Sequence, residues 1–279
     1  MKKAILIALI LFLSSTITFA SNHYKILSGN AKQGGFVILQ VDKNATIKFK
    51  DKIINPDSKG RVLIAFSRDD KAEQIFKLTK ASGKVIYPRI QIATRQYKEQ
   101  KINGLPKNKV TPDKKTSKKI WEDIKKARKA RNIVLPIPYF NSGFVWPTEG
   151  IISGVYGSRR ILNGKPKRPH YGVDIAAPRG TPIYSPADGK ITLRESMELS
   201  GNTVMIDHGY GLRSTMMHLS KFSVKEGDLV KQGDLIGEIG TTGRSTGPHL
   251  HWGMSWYKVR LDPALTVSKE TKPGDKISF

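Results

Sequence analysis

The chain has 279 residues and no cysteine, which excludes disulfides, thiolate metal ligands and lipid anchoring through an acylated cysteine. Its formal charge of +25 favours a polyanionic partner, and a general lysine bias, in a sequence also rich in Ile and Asn, accounts for the same excess equally well. With only six histidines available, a metal site in this chain has to be assembled from His and carboxylates.

Residues 1–20, "MKKAILIALILFLSSTITFA", carry Lys2 and Lys3, an apolar run from Ala4 to Leu13 and small residues before Ala20. That is the anatomy of a secretory signal peptide, and the run is short for a membrane span. Export to the periplasm or cell envelope is expected. Without the leader the charge is +23, and outside the cell the anionic candidates are wall polymer, lipopolysaccharide or membrane surface rather than nucleic acid.

Residues 21–98 alternate in short runs, "GFVILQV", "ATIKFK", "RVLIAFS", "QIFKLTK" and "KVIYPRIQIA", separated by "KQGG", "NPDSKGR" and "KASGK". Four or five strands with such turns predict a small antiparallel β-domain. Residues 99–139 form a basic linker, extended at first. Within it Ile120, Ile124 and Ala127, with Trp121 beside them, have helical spacing that predicts a helix from about Ser117 to Arg131. Its cationic face is a candidate contact for an anionic envelope surface, although a solvated face over a modest packed stripe is the simpler reading. Residues 140–279 are glycine-rich and hold every histidine except His23. Runs such as "GIISGVYG", "NTVMIDHG", "LRSTMMHLS" and "HLHWGMSW", with hairpin turns at "DHGYG" and "KEGDLVKQGD", predict a second antiparallel β-domain. The chain is expected to be mainly β, its helix confined mostly to the linker.

Chemistry concentrates in that last region. In "RPHYGVDIAAP" His170 and Asp174 are four apart, but Gly172, Val173, Ile175 and Pro178 argue for a loop running into a strand rather than a helix. In "TGPHLHWG" His249 and His251 share one face of a strand, with Leu250 toward the core. A catalytic zinc commonly takes three protein ligands and keeps a fourth position open, so His170, Asp174 and one member of the His249/His251 pair meet the requirement. The other member and His218, in "STMMHLS", remain for proton transfer at near-neutral pH. His208 falls at a hairpin turn, where an exposed histidine is the default, and it is set aside with His23.

"HYGVD", then "HLS", then "GPHLHW" resembles the signature of the lysostaphin/LytM-type zinc metallopeptidases of bacterial peptidoglycan. The likeness runs from about Trp146 to Ala264 and includes "GVYGSRR", "GVDIAAPRGTPIYSPADGKI" and "GDLVKQGDLIGEIGTTGRSTGPHLHWGM". It implies a compact antiparallel sheet with a narrow groove over one Zn2+, with His170, Asp174 and His251 as ligands and His218 and His249 as the unliganded catalytic pair. It also implies peptidoglycan stem peptides or cross-links as substrate. Relatives that have lost metal ligands act as amidase activators or binding modules, whereas all five positions are intact here. Thr241 to Gly247 is a candidate groove wall. The bulky lead-in "PIPYFNSGFVW" is a candidate to occupy the groove, since relatives can be autoinhibited by a preceding segment.

Overall fold

The computed structural model describes residues 23–267 and 273–278. The leader expected at residues 1–20 lies outside the described residues. Among these, no helix is long and apolar enough to cross a membrane.

The N-terminal region is built from β1 (Lys25–Gly29), β2 (Phe36–Gln40), β3 (Thr46–Phe49), β4 (Lys52–Ile54), β5 (Arg61–Ala65), β6 (Glu73–Ile75), β7 (Lys77–Thr79), β8 (Val85–Ile86) and β9 (Arg89–Gln91). They form small antiparallel sheets in the orders β1-β2-β5, β4-β3-β7-β8 and β6-β9. The run "QIFKLTK" does not make one strand. Phe76 interrupts it, its amide donating to Pro88 O at 3.2 Å, because proline offers no N–H to continue the ladder.

Next come β10 (Glu99–Ile102), the short α1 (Lys107–Val110) and α2 (Lys114–Asn132). The latter starts three residues before the expected position because the Asp113 carboxylate caps it, accepting from Thr116 N at 2.7 Å. Its packed face agrees with the expected stripe only at Ala127. Ala127 and Ala130 close onto Leu193, Met197 and Met205, while Trp121 and Ile124 stay 52% and 38% exposed. The small residues let the helix approach the sheet closely, and the large ones lie to the side.

The C-terminal region comprises β11 (Gly150–Gly154), β12 (Arg159–Leu162), β13 (Lys165–Pro166), β14 (Val173–Ala176), β15 (Pro182–Tyr184), β16 (Gly189–Met197), β17 (Gly201–Asp207), β18 (Leu212–Phe222), β19 (Leu229–Val230), β20 (Leu235–Ile239), β21 (His249–Trp256), β22 (Val259–Leu261) and β23 (Lys276–Ile277). Its main sheet runs β19-β16-β17-β18-β21-β14-β11-β23, antiparallel throughout. The β10 strand of the linker adds to β12 in parallel, so the linker is not merely extended. Val37, Ile64 and Phe66 from the first region and Ile152, Trp252 and Trp256 from the second belong to one hydrophobic cluster.

Candidate active site

Register brings the site together. Asp174 on β14 stands directly opposite His251 on β21, and Ala176 opposite His249. Leu250, between the histidines, is fully buried in the core. On the other side of β21, Met217 of β18 pairs with His251. The next residue, His218, has φ 68°, an uncommon conformation for a residue with a β-carbon. There β18 passes from pairing with β21 to pairing with β20, and the local twist turns the imidazole toward β21. The His218 and His249 rings end with centroids 4.8 Å apart.

His170 Nε2, Asp174 Oδ1 and His251 Nδ1 form a small triangle. The carboxylate oxygen lies 2.9 Å from His170 Nε2 and 2.8 Å from His251 Nδ1, and the two nitrogens are 3.0 Å apart. Donors around a tetrahedral zinc with bonds near 2.0 Å stand about 3.3 Å from one another, so this set fits such an ion with little rearrangement. His170 Nδ1 donates to Val155 O at 3.0 Å, which leaves Nε2 as the bare nitrogen facing the triangle. Burial alone would raise the Asp174 pKa, but His170, His251 and Arg160 outweigh it and hold the carboxyl well below the usual range. Burial pushes His251 down to about 4 against the pull of Asp174, so the ring is neutral at pH 7, as a ligand must be.

The remaining two imidazoles are oriented by backbone carbonyls. His218 Nδ1 donates to Thr242 O at 2.7 Å and His249 Nδ1 to Gly247 O at 2.9 Å. A carbonyl can only accept, so in its neutral form each ring carries its proton on Nδ1 and leaves Nε2 free to accept. Burial, with His249 and His251 close by, lowers the His218 pKa to about 3. His249 Nε2 lies 4.0 Å from Asp174 Oδ1.

All five residues singled out from the sequence therefore converge. Arg160 was not among them. Its Nη2 donates to Asp174 Oδ2 at 2.5 Å, so both carboxylate oxygens are engaged, while its Nε is buried without a partner. Only "GSRR" in the sequence marked this position, and arginines give no spacing signal of their own. His208 also differs from expectation. It is fully buried, donating from Nδ1 to Asp188 O at 2.7 Å and accepting at Nε2 from Ser214 Oγ at 2.9 Å.

Two adjoining cavities, about 280 and 450 Å3, flank the centre and share Arg160, Leu162, His218, Arg244 and His251. Arg244 to Gly247 wall the smaller one, and Gln100, Ile102 and Leu105 from the linker line it as well. The "PIPYFNSGFVW" lead-in lies elsewhere. Phe144 packs edge-on to His208 at 5.2 Å, and Trp146 against Trp252 at 5.8 Å.

Residues 168–263 match the model of Peptidase family M23. Over 119 residues the chain is 52% identical to the DD-carboxypeptidase/endopeptidase Mpg of Neisseria meningitidis serogroup B, covering 40% of this chain and 26% of that protein. It is 37% identical over 134 residues to the peptidoglycan DD-endopeptidase ShyB of Vibrio cholerae, covering 43% and 32%. The chain thus spans a third or less of the length of these curated relatives. A crystal structure of a Pseudomonas aeruginosa protein, described as a candidate M23 peptidase, superposes with a TM-score of 0.67 at 27% identity, covering 85% of this chain and 95% of that one.

Proposed function

From a chain that carries a Peptidase family M23 metallopeptidase domain over residues 168–263, we propose an exported zinc peptidase that hydrolyses peptide bonds in peptidoglycan stem peptides or cross-links during wall remodelling. The observation that carries the reading is the His170–Asp174–His251 triangle set beside two imidazoles whose Nε2 atoms are kept bare. The relatives named DD-endopeptidase support cross-links containing D-amino acids as the substrate class. The division into a supporting β-region at 21–98, a linker at 99–139 and a catalytic region at 140–279 belongs to the same proposal.

His170, Asp174 and His251 would hold Zn2+, which supplies Lewis acidity at the scissile carbonyl and lowers the pKa of water. The protein's part is to place the attacking water and move its proton. His218 and His249 both present Nε2 as acceptors, so a water between them offers a lone pair to the carbonyl carbon. A proton arriving on His249 would lie 4.0 Å from the Asp174 carboxylate, whereas His218 is a poor base because burial holds it neutral. His249 is therefore the general base in this scheme and His218 the orienting group. The proton then passes from His249 to the departing amine nitrogen, so that water has been added across the peptide bond and the imidazole is neutral again. Arg160 keeps Asp174 in place from behind.

The test is digestion of purified peptidoglycan by the protein, with and without zinc chelation, beside His249→Ala and His218→Ala. Chelator-sensitive release of cleaved stem peptides should fall by roughly 10^2 to 10^4 in His249→Ala while bound zinc is unchanged. No release from zinc-loaded wild-type protein would sink the enzyme reading in favour of a binding or amidase-activating module.

A further inference from the structure

The hairpin at the far end of β21 holds a separate cavity that the peptidase chemistry does not use. It measures about 630 Å3 and is lined by Lys52, Arg128, Arg131, Tyr257, Lys258 and Arg260, with no carboxylate in its wall. From His251 to the end of β21 at Trp256 is five residues of strand rise, so this cavity opens roughly 16 Å from the metal centre.

Strand register explains why the cations gather. Arg213 on β18 stands opposite Ser255 on β21, and Ser255 opposite Arg260 on β22. The two arginines and the serine therefore share one face of the sheet, and the end of α2 covers that face with Arg128 and Arg131. Among the described residues, no carboxylate pairs with Arg128, Arg131, Lys258 or Arg260. Lys52 alone has one, Asp51 at 3.8 Å, and its Nζ also lies 4.9 Å over the Tyr257 ring. Asp207 continues the cross-strand row, opposite Arg213. Its two oxygens accept from the Leu135 and Gly209 amides at 3.0 Å each.

The C-terminal carbonyls of α2 explain part of the cluster. Arg213 Nη2 donates to Ile133 O at 2.7 Å, and a cation there suits the negative end of the helix. Yet Arg213 is fully buried with its Nε and Nη1 unpartnered. Burial first, and then the guanidiniums of Arg260, Arg213 and Arg128, push the Arg131 pKa down to about 10. Like charges drawn together out of water are costly unless a counter-charge joins them. A single carboxylate would neutralise one of these groups, whereas planar guanidiniums engage a phosphate through paired hydrogen bonds and a phosphate brings up to two charges.

We propose that this cavity is a binding site for a phosphate-bearing anion, held by Arg131 and Arg260 at its centre and by Arg128, Lys258 and Lys52 at its rim. The phosphate could belong to a lipid headgroup or to a soluble compound, and the same chemistry recognises both.

Calorimetric titration of the full chain with sodium pyrophosphate, with acetate as control, and sedimentation with phosphatidate or phosphatidylcholine vesicles test the proposal. Pyrophosphate should bind at least tenfold tighter than acetate. Sedimentation with phosphatidate vesicles that pyrophosphate reverses identifies a lipid source, and binding of pyrophosphate alone a soluble one. The Arg131→Gln/Arg260→Gln variant should lose tenfold or more. If thermal melting shows that it does not fold, Arg128→Gln/Lys258→Gln, at exposed positions, should still lose severalfold. Equal affinity for acetate and pyrophosphate, or unchanged affinity in a folded variant, overturns the proposal and leaves the peptidase reading untouched.

Discussion

Gly172 shows how narrowly the metal triangle is fitted. A β-carbon there would stand 2.7 Å from His251 Cε1 and Nε2 and 2.6 Å from Trp252 O, so the ring or the strand would have to shift. Gly172→Ala should therefore weaken zinc binding by roughly 10- to 100-fold, the usual cost of disturbing a ligand's support, and zinc competition against a chromophoric chelator would read it directly. Wild-type affinity would show that the ring has room. Buried His208 supports a different prediction. Burial lowers its pKa to about 4, against an ordinary value of 6.5. As pH falls, the unfolded chain takes up this proton first, so stability is intact above about 6.5 and is lost progressively down to about 4. His208→Gln removes that contribution, and the gap in unfolding free energy between wild type and variant should narrow by on the order of 2–3 kcal/mol between pH 7.5 and 4. Urea titrations across that range check it, and a constant gap would refute it. The histidines proposed as ligands and catalysts were legible because such chemistry needs fixed residue types in short motifs, while the choice between His249 and His251 as ligand came from the family resemblance alone. His208 was not, because turn residues favour exposure on average and only packing reveals that Phe144 and Ser214 enclose this one.

Among the elements, α2 illustrates what periodicity can and cannot convey. Its existence followed from the spacing of Ile120, Ile124 and Ala127, yet the sheet receives Ala127 and Ala130. Hydropathy ranks the large residues as the buried face, whereas the approach is set by how near the helix must lie to Leu193, Met197 and Met205. Polar anchors reinforce that choice, with Asp123 accepting from Glu198 N at 2.7 Å and Lys126 pairing with Glu195 at 3.0 Å. Ala130→Leu should therefore destabilise the protein by about 1–3 kcal/mol through overpacking, while Trp121→Ala should stay within roughly 0.5 kcal/mol. Chemical denaturation of both variants distinguishes this from packing led by the large side chains, in which the larger loss would fall at Trp121. The interrupted "QIFKLTK" run was equally opaque, since its break depends on which residue faces Pro88 across the hairpin.

At the scale of the whole molecule, contacts between distant parts of the chain join the two β-regions. The Phe49 and Trp256 rings lie 6.4 Å apart, Arg95 pairs with buried Asp262 at 2.7 Å, Asp262 N donates to Gly34 O at 2.8 Å, and Arg68 Nε donates to Gly157 O at 2.7 Å. The composition change near residue 140 gives no hint of this, because a shared core is a property of faces that meet only after folding. The consequence reaches the active site, since β10 pairs with β12 and β12 carries Arg160, which holds Asp174. A form beginning at Phe140 would leave Trp256 uncovered and Asp262 without Arg95, a loss on the order of 3–5 kcal/mol from packing and a broken buried pair. At roughly 2–4 °C per kcal/mol for a chain of this size, its melting temperature should fall by about 10 °C. It should also bind a hydrophobic dye that the full chain does not. Differential scanning calorimetry with dye binding decides the matter: an unchanged melting temperature would mean that the N-terminal region merely rests on the catalytic one, whereas the expected drop makes it part of a shared core.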